Sequence, residues 1–142
     1  MSVHQVDHLD LTVRDLEESI AWYSEIFGFH VVERGERPSG PWAIIRSGEA
    51  LLCIYEAPLR KPPSRYLRDG GERHVVYHFG LRISGRTEWL QTVEKHQLEL
   101  EFGGEAEYPH SSSWYVADPT GYSIEVVIWN ENRIQFDDLL AA

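Results

Sequence analysis

His8-Leu-Asp-Leu-Thr-Val13 and His78-Phe-Gly-Leu-Arg-Ile83 are two versions of one phrase, 70 residues apart in a chain of 142. Each opens with histidine and then sets apolar residues at every second position, the period of a β-strand with one buried face. In the first, Leu9, Leu11 and Val13 share a face, and His8, Asp10 and Thr12 take the other. In the second, Phe79, Leu81 and Ile83 form the apolar set and His78 lies opposite. A repeat at about half the chain length predicts two copies of one supersecondary unit.

Outward from the first phrase, a strand is expected over residues 6–13 and a helix directly after it. Asp15 is a suitable N-cap, and Glu18 three residues later completes a capping-box pattern. Leu16, Ile20, Tyr23 and Phe27 recur at helical spacing, widened by Trp22 and Ile26, and Gly28 is placed to end the helix. Strands are expected to begin at Phe29 and to run over Trp42–Arg46 and Leu51–Glu56, with breaks at Pro38-Ser-Gly-Pro41 and Ser47-Gly48. The second half repeats the order: strand Val75–Ile83, helix Thr87–Gln97 with Trp89, Leu90 and Val93 as its apolar side, and strand Leu98–Phe102. Strand Ser113–Val116, a turn at Asp118-Pro-Thr-Gly121 and a last strand Ser123–Trp129 follow. Ile134–Leu140 predicts a short helix that packs on the body or on a second chain.

The expected organisation is one domain over 1–142: a first module at 1–57, a connector at 58–74, a second module at 75–130 and a tail at 131–142. The connector carries Pro58, Pro62, Pro63, Gly70 and Gly71, with Arg60, Lys61, Arg65, Arg68 and Arg73 among them. It reads as a solvated linker; the sharper alternative is a basic lid that attracts an anionic substrate.

Composition excludes several classes. A net charge of −10 argues against a general nucleic-acid binder, which needs a basic face. The single cysteine, Cys53, allows no intrachain disulfide and suits a reducing compartment. The opening residues lack the basic and apolar blocks of a signal peptide, and no run approaches the ~20 apolar residues of a membrane span. The expectation is a cytoplasmic protein without a membrane partner.

Glu125 lies in the last strand, where Ile124, Val126 and Ile128 are apolar, so parity sets it opposite them. His8, His78 and Glu125 thus all point away from the helix-packed sides. Two histidines at equivalent places in a repeat, with one carboxylate, are the donor set of a two-histidine, one-carboxylate metal site. Taken singly, each has a plainer reading: a surface histidine, or a glutamate paired with an arginine such as Arg82. Metal binding would account for all three together, and for ionisable groups in a cavity where they are costly unpaired.

Order and wording together resemble the vicinal oxygen chelate superfamily, which holds glyoxalase I, bleomycin- and fosfomycin-resistance proteins, methylmalonyl-CoA epimerase and extradiol dioxygenases. The resemblance rests on His8-Leu-Asp-Leu-Thr-Val with Asp15-Leu-Glu-Glu-Ser-Ile-Ala-Trp-Tyr and Phe27-Gly-Phe29, on His78-Phe-Gly-Leu-Arg-Ile, and on Tyr115-Val-Ala-Asp-Pro-Thr-Gly-Tyr-Ser-Ile-Glu125. It implies an α+β fold of two βαββ modules whose strands form an open, curved, barrel-like mixed sheet with helices packed outside. It also implies His8, His78 and Glu125 as ligands of one divalent metal (Fe, Mn, Ni, Co or Zn), and a homodimer. Isomerase members have a fourth ligand in the last strand of the first module. Here Cys53 falls at that place as a small filler, and Glu56 lies three residues on, facing the other way. In extradiol dioxygenases a tyrosine stands ten residues before the glutamate ligand, as Tyr115 does, and histidines lie near the substrate, as His110 would. Asp10 and Arg82 are further substrate-contact candidates, while Trp42 and Trp114 either line an aromatic wall or pack in the core.

Two functional readings follow. One is a metal-dependent enzyme of the glyoxalase/dioxygenase type on a small substrate that chelates through adjacent oxygens: an isomerase, lyase, transferase or ring-cleaving dioxygenase. The other is a metal-free small-molecule binding or drug-sequestering protein of the bleomycin-resistance type. The triad favours the enzyme.

Overall fold

The computed structural model describes residues 1–61 and 74–137. Each half has the order β-α-β-β-β. The first consists of β1 (Leu9–Val13), α1 (Leu16–Phe27), β2 (His30–Arg37), β3 (Gly40–Ser47) and β4 (Ala50–Glu56). The second consists of β5 (Phe79–Ile83), α2 (Arg86–His96), β6 (Ala106–Glu107), β7 (Ser111–Ala117) and β8 (Ser123–Trp129). Each set of strands is a four-stranded mixed sheet, ordered β1-β4-β3-β2 and β5-β8-β7-β6. In both, the strand before the helix pairs in parallel with the last strand, so the α+β fold of two modules is as expected. By their contacts the described residues divide into two compact units, 1–61 with 118–122 and 74–117 with 123–137.

In the first unit the apolar alternation packs beneath α1. Val13, Ala43, Ile45, Leu52 and Ile54 are almost wholly buried, together with Leu16, Tyr23 and Phe29. Asp15 caps α1, its Oδ1 accepting the Glu18 N–H at 2.8 Å. The Glu18 carboxylate accepts from Arg14 at both of its oxygens. At the other end Gly28 adopts φ 66°, and the N–H groups of Gly28 and Phe29 bond back to Ser24 and Tyr23, the left-handed closure that glycine permits. The buried stripe of α1 is Leu16, Ser19, Tyr23 and Ile26, rotated slightly from the expected one, so that Ser19 is inside and Ile20 half-buried. Val32 is the extra residue of a β-bulge in β2 and stands exposed.

The second unit is built around Trp114, which is buried on β7 against Trp89 of α2 and under the Arg86 guanidinium. Ile124 and Val126 of β8 complete that face. α2 ends with Gln97 in the left-handed conformation.

Three expectations differ from what is found. Both phrase strands begin later than expected, at Leu9 and Phe79, where the parallel ladders open with the pairs Leu9–Leu52 and Phe79–Ile124. Each histidine therefore stands one residue ahead of its strand. Leu98–Phe102 alternates like a strand but has no ladder: Glu101–Gly103 is a 3-10 turn with Phe102 at φ 56°, and β7 pairs with the two residues of β6 instead. Residues 133–137 carry no regular structure; the rest of the expected C-terminal helix lies outside the described residues, as do Arg65, Arg68 and Arg73 of the connector. No described helix is long and apolar enough to cross a membrane.

Candidate metal centre

Ladder register puts Glu125 of β8 opposite Gly80 of β5 on one side and opposite Tyr115 of β7 on the other. Gly80 has no side chain to cover the carboxylate. His78, just ahead of β5, turns its Nε2 to within 2.9 Å of Glu125 Oε2, and Ser113 donates its hydroxyl to Oε1 at 2.7 Å. The His78 and Glu125 side chains are 28% and 20% exposed, so the pair is sheltered yet open to a ligand. Arg82, the partner weighed for Glu125 from sequence, is not the one it takes.

Tyr115 packs its ring edge-on against the His78 imidazole (centroids 5.4 Å apart) and against Phe102 (5.2 Å). Its hydroxyl shares a 3.0 Å hydrogen bond with that of Tyr108. Burial, the Tyr108 bond and the nearby Glu125 charge push the Tyr115 phenol well above its ordinary value, so it keeps its proton at neutral pH. Glu125 opens on a cavity of about 440 Å³ within the second unit, lined also by Gly80, Arg82, Tyr108, Ser111, Val127 and Trp129. His110 lies in the bend between β6 and β7, and its Nε2 is 2.8 Å from Asp137 Oδ1. Trp114 is a core residue, and Trp42 lies over Gly35, where a Cβ would come within 2.9 Å of its ring.

In the first unit His8 stands with Asp10 and Cys53; one donor atom from each lies within 4.8 Å of the others. His8 Nδ1 meets Asp7 Oδ2 at 2.7 Å, which raises the imidazole pKa, and Nε2 is 3.9 Å from Asp10 Oδ1. Asp10 is in register with Cys53 as Gly80 is with Glu125, so Cys53 holds in the first module the place of Glu125 in the second. Burial, and then Asp10, push the Cys53 thiol up. The grouping of Asp10 with Cys53 was not read from sequence; superposing the two modules on their histidines and strand ends would have exposed it. Glu56 faces elsewhere: its Oε2 accepts the Leu16 N–H at the start of α1.

The second-unit pair offers the donor types of a metal-ligand couple. An imidazole nitrogen and a carboxylate oxygen, held close and partly sheltered, suit divalent Fe, Mn, Ni, Co or Zn. Ser113 holds the carboxylate as an outer hydrogen-bond partner does in such sites.

Comparison with known proteins adds three findings. Residues 5–126 match the model of the Glyoxalase/Bleomycin resistance protein/Dioxygenase superfamily. A catechol-2,3-dioxygenase of Bacillus subtilis (strain 168) is 27% identical over 131 residues, covering 88% of this chain and 42% of that protein, so the chain spans well under half of that relative's length. Solved structures with the same fold include a glyoxylase/bleomycin resistance protein/dioxygenase domain from Frankia sp. EAN1pec, with TM-score 0.72 and 22% identity over 93% of this chain and 96% of that one. Another is the fosfomycin resistance protein FosX of Listeria monocytogenes in complex with Mn(II) and sulfate, with TM-score 0.65 and 16% identity over 94% of this chain and 100% of that one.

Proposed function

Because the chain belongs to the Glyoxalase/Bleomycin resistance protein/Dioxygenase superfamily, we propose that it is a metal-dependent enzyme acting on a small substrate that presents two adjacent oxygens. His8, His78 and Glu125 are the proposed ligands of one divalent ion. The observation that supports this most is the approach of His78 Nε2 to Oε2 of Glu125, a carboxylate that lines the cavity.

A bound divalent ion supplies Lewis-acid stabilisation of negative charge that develops on the substrate oxygens. The chain does the rest. Ser113 fixes one oxygen of Glu125 and leaves the other toward His78. Tyr115 braces the His78 ring and holds a proton at its hydroxyl, where it can donate a hydrogen bond to a substrate oxygen but not act as a base at neutral pH. His110, engaged with Asp137, is assigned no step. Ring cleavage of a catechol is the first reaction to assay, since the Bacillus subtilis relative is a catechol-2,3-dioxygenase; isomerase, lyase and transferase assays come after it.

The test is metal content by elemental analysis, on chain prepared without air with the common divalent metals supplied, beside Glu125→Ala and His8→Ala. The expected result is one equivalent per chain, lost in both variants. No metal in the wild type overturns the reading, leaving His78–Glu125 as an ordinary polar pair and the binding-protein alternative in force.

A further inference from the structure

The cavity of the second unit contains a cation that the proposed metal chemistry leaves unused. Arg82 lines it from β5, one same-face position beyond the place where Gly80 meets Glu125. The rise of a strand separates two such positions by roughly 7 Å. The chain holds 23 acidic residues against 13 basic ones, yet Arg82 pairs with no carboxylate among the described residues. Glu125, the acid on the same face, has its oxygens engaged by Ser113 and His78. The remaining lining residues are Tyr108, Ser111, Trp129 and Val127. A guanidinium that meets no carboxylate among the described residues, two hydroxyl-bearing side chains and an indole, with the Glu125 carboxylate already engaged, make a receptor for a small planar anion. The guanidinium fork matches a carboxylate through two parallel hydrogen bonds, and the indole offers contact to a flat framework.

We propose that Arg82 is the anion-recognising residue of this cavity, and that the substrate is a small planar carboxylic acid whose carboxylate lies on Arg82 while its adjacent oxygens lie at the His78–Glu125 end. The second half of this assignment rests on the metal centre proposed above; the first half stands on the cavity alone.

The test is calorimetric titration of the full chain loaded with Zn(II), a metal that supports no oxidative turnover, with catechol and with 3,4-dihydroxybenzoate. The wild type should bind the acid about tenfold or more tightly than the neutral diol. Arg82→Met should bring the two affinities together, and Arg82→Lys should keep part of the difference. Equal affinities in the wild type, a preference that survives Arg82→Met, or no saturable binding of the acid overturns the proposal. Benzoate against benzamide on the metal-free chain separates the two readings. An Arg82-dependent preference there, with no zinc uptake by the wild type, overturns the metal centre and upholds the anion site. Zinc uptake that is lost in Glu125→Ala, without any preference for the acids, upholds the metal centre and overturns the anion site.

Discussion

The carboxylate of Glu56 accepts the backbone N–H of Leu16 at 2.9 Å, so the last residue of β4 caps the first turn of α1. Asp15 satisfies a second N–H of the same turn. Two carboxylates thus meet the electropositive end of one helix. That occupation gives Glu56 a capping role in place of the fourth-ligand role that the sequence resemblance raised for this strand. Glu56→Ala should cost about 1–2 kcal/mol in urea unfolding, the range for losing a helix cap. Metal content per folded chain should not change. A folded variant that has lost its metal would make Glu56 a ligand after all.

Ser113 is wholly buried and donates to Glu125 Oε1 at 2.7 Å. Its hydroxyl orients the carboxylate. Ser113→Ala removes one oxygen atom and leaves the fold in place. It should weaken divalent-metal affinity by roughly 10-fold or more, as the loss of such outer partners does. Competition titration against a chromophoric chelator reads the change; equal affinities in the two proteins would show that Ser113 serves only the packing of β7 against β8.

Much of this was legible in the chain because the signals were local. Strict alternation in 9–13 and 79–83 marked the strands and their faces. Asp15 and Gly28 marked the ends of α1, and both cap it as read. What escaped depends on pairing across distance. Leu98, Leu100 and Phe102 have the period of a strand, but a strand exists only where a neighbour offers its ladder, and β7 offers it to Ala106 and Glu107. Parity could turn His78 and Glu125 to one face but could not bring them within hydrogen-bond distance; that follows from the register of β5 on β8. The same holds for Asp10 beside Cys53, partners set by the β1–β4 register. Ser19 at the centre of the helix stripe carries no apolar signal, and its burial reflects how closely α1 approaches the sheet.

The Tyr115 phenol is pushed above its ordinary value of 10.0, chiefly by burial, then by the Tyr108 bond and the charge of Glu125. A raised folded-state value gives a contribution to stability that is complete below pH 10 and is lost as the pH climbs through the folded value, because the unfolded chain releases that proton first. Stability should therefore decline above pH 10, and Tyr115→Phe should flatten the decline. Absorbance at the phenolate band, followed with pH, should show one late-titrating tyrosine fewer in the variant. Ionisation of Tyr115 near its ordinary value would mean that its hydroxyl is open to water.

Asp118 opens the loop between β7 and β8 and is almost fully buried. Its Oδ1 accepts the N–H groups of Thr120, Gly121 and Tyr122, and its Oδ2 accepts the Tyr23 hydroxyl at 2.8 Å. Burial pushes the Asp118 carboxyl up while these four donors pull it down, and burial prevails. Tyr23→Phe keeps the ring in its packing against Phe29 but removes one donor, so an ionised oxygen is left buried without a partner. The expected cost is about 1–3 kcal/mol at neutral pH. The lost donor favoured the charged form, so the variant's carboxyl should rise further. Its penalty should then shrink as the pH falls through the folded value and the carboxyl takes up its proton. Urea unfolding of both proteins at pH 7 and near pH 4 measures the two differences. A penalty that is equal at both, or larger in acid, would show that the hydroxyl matters for packing and not for the charge of Asp118.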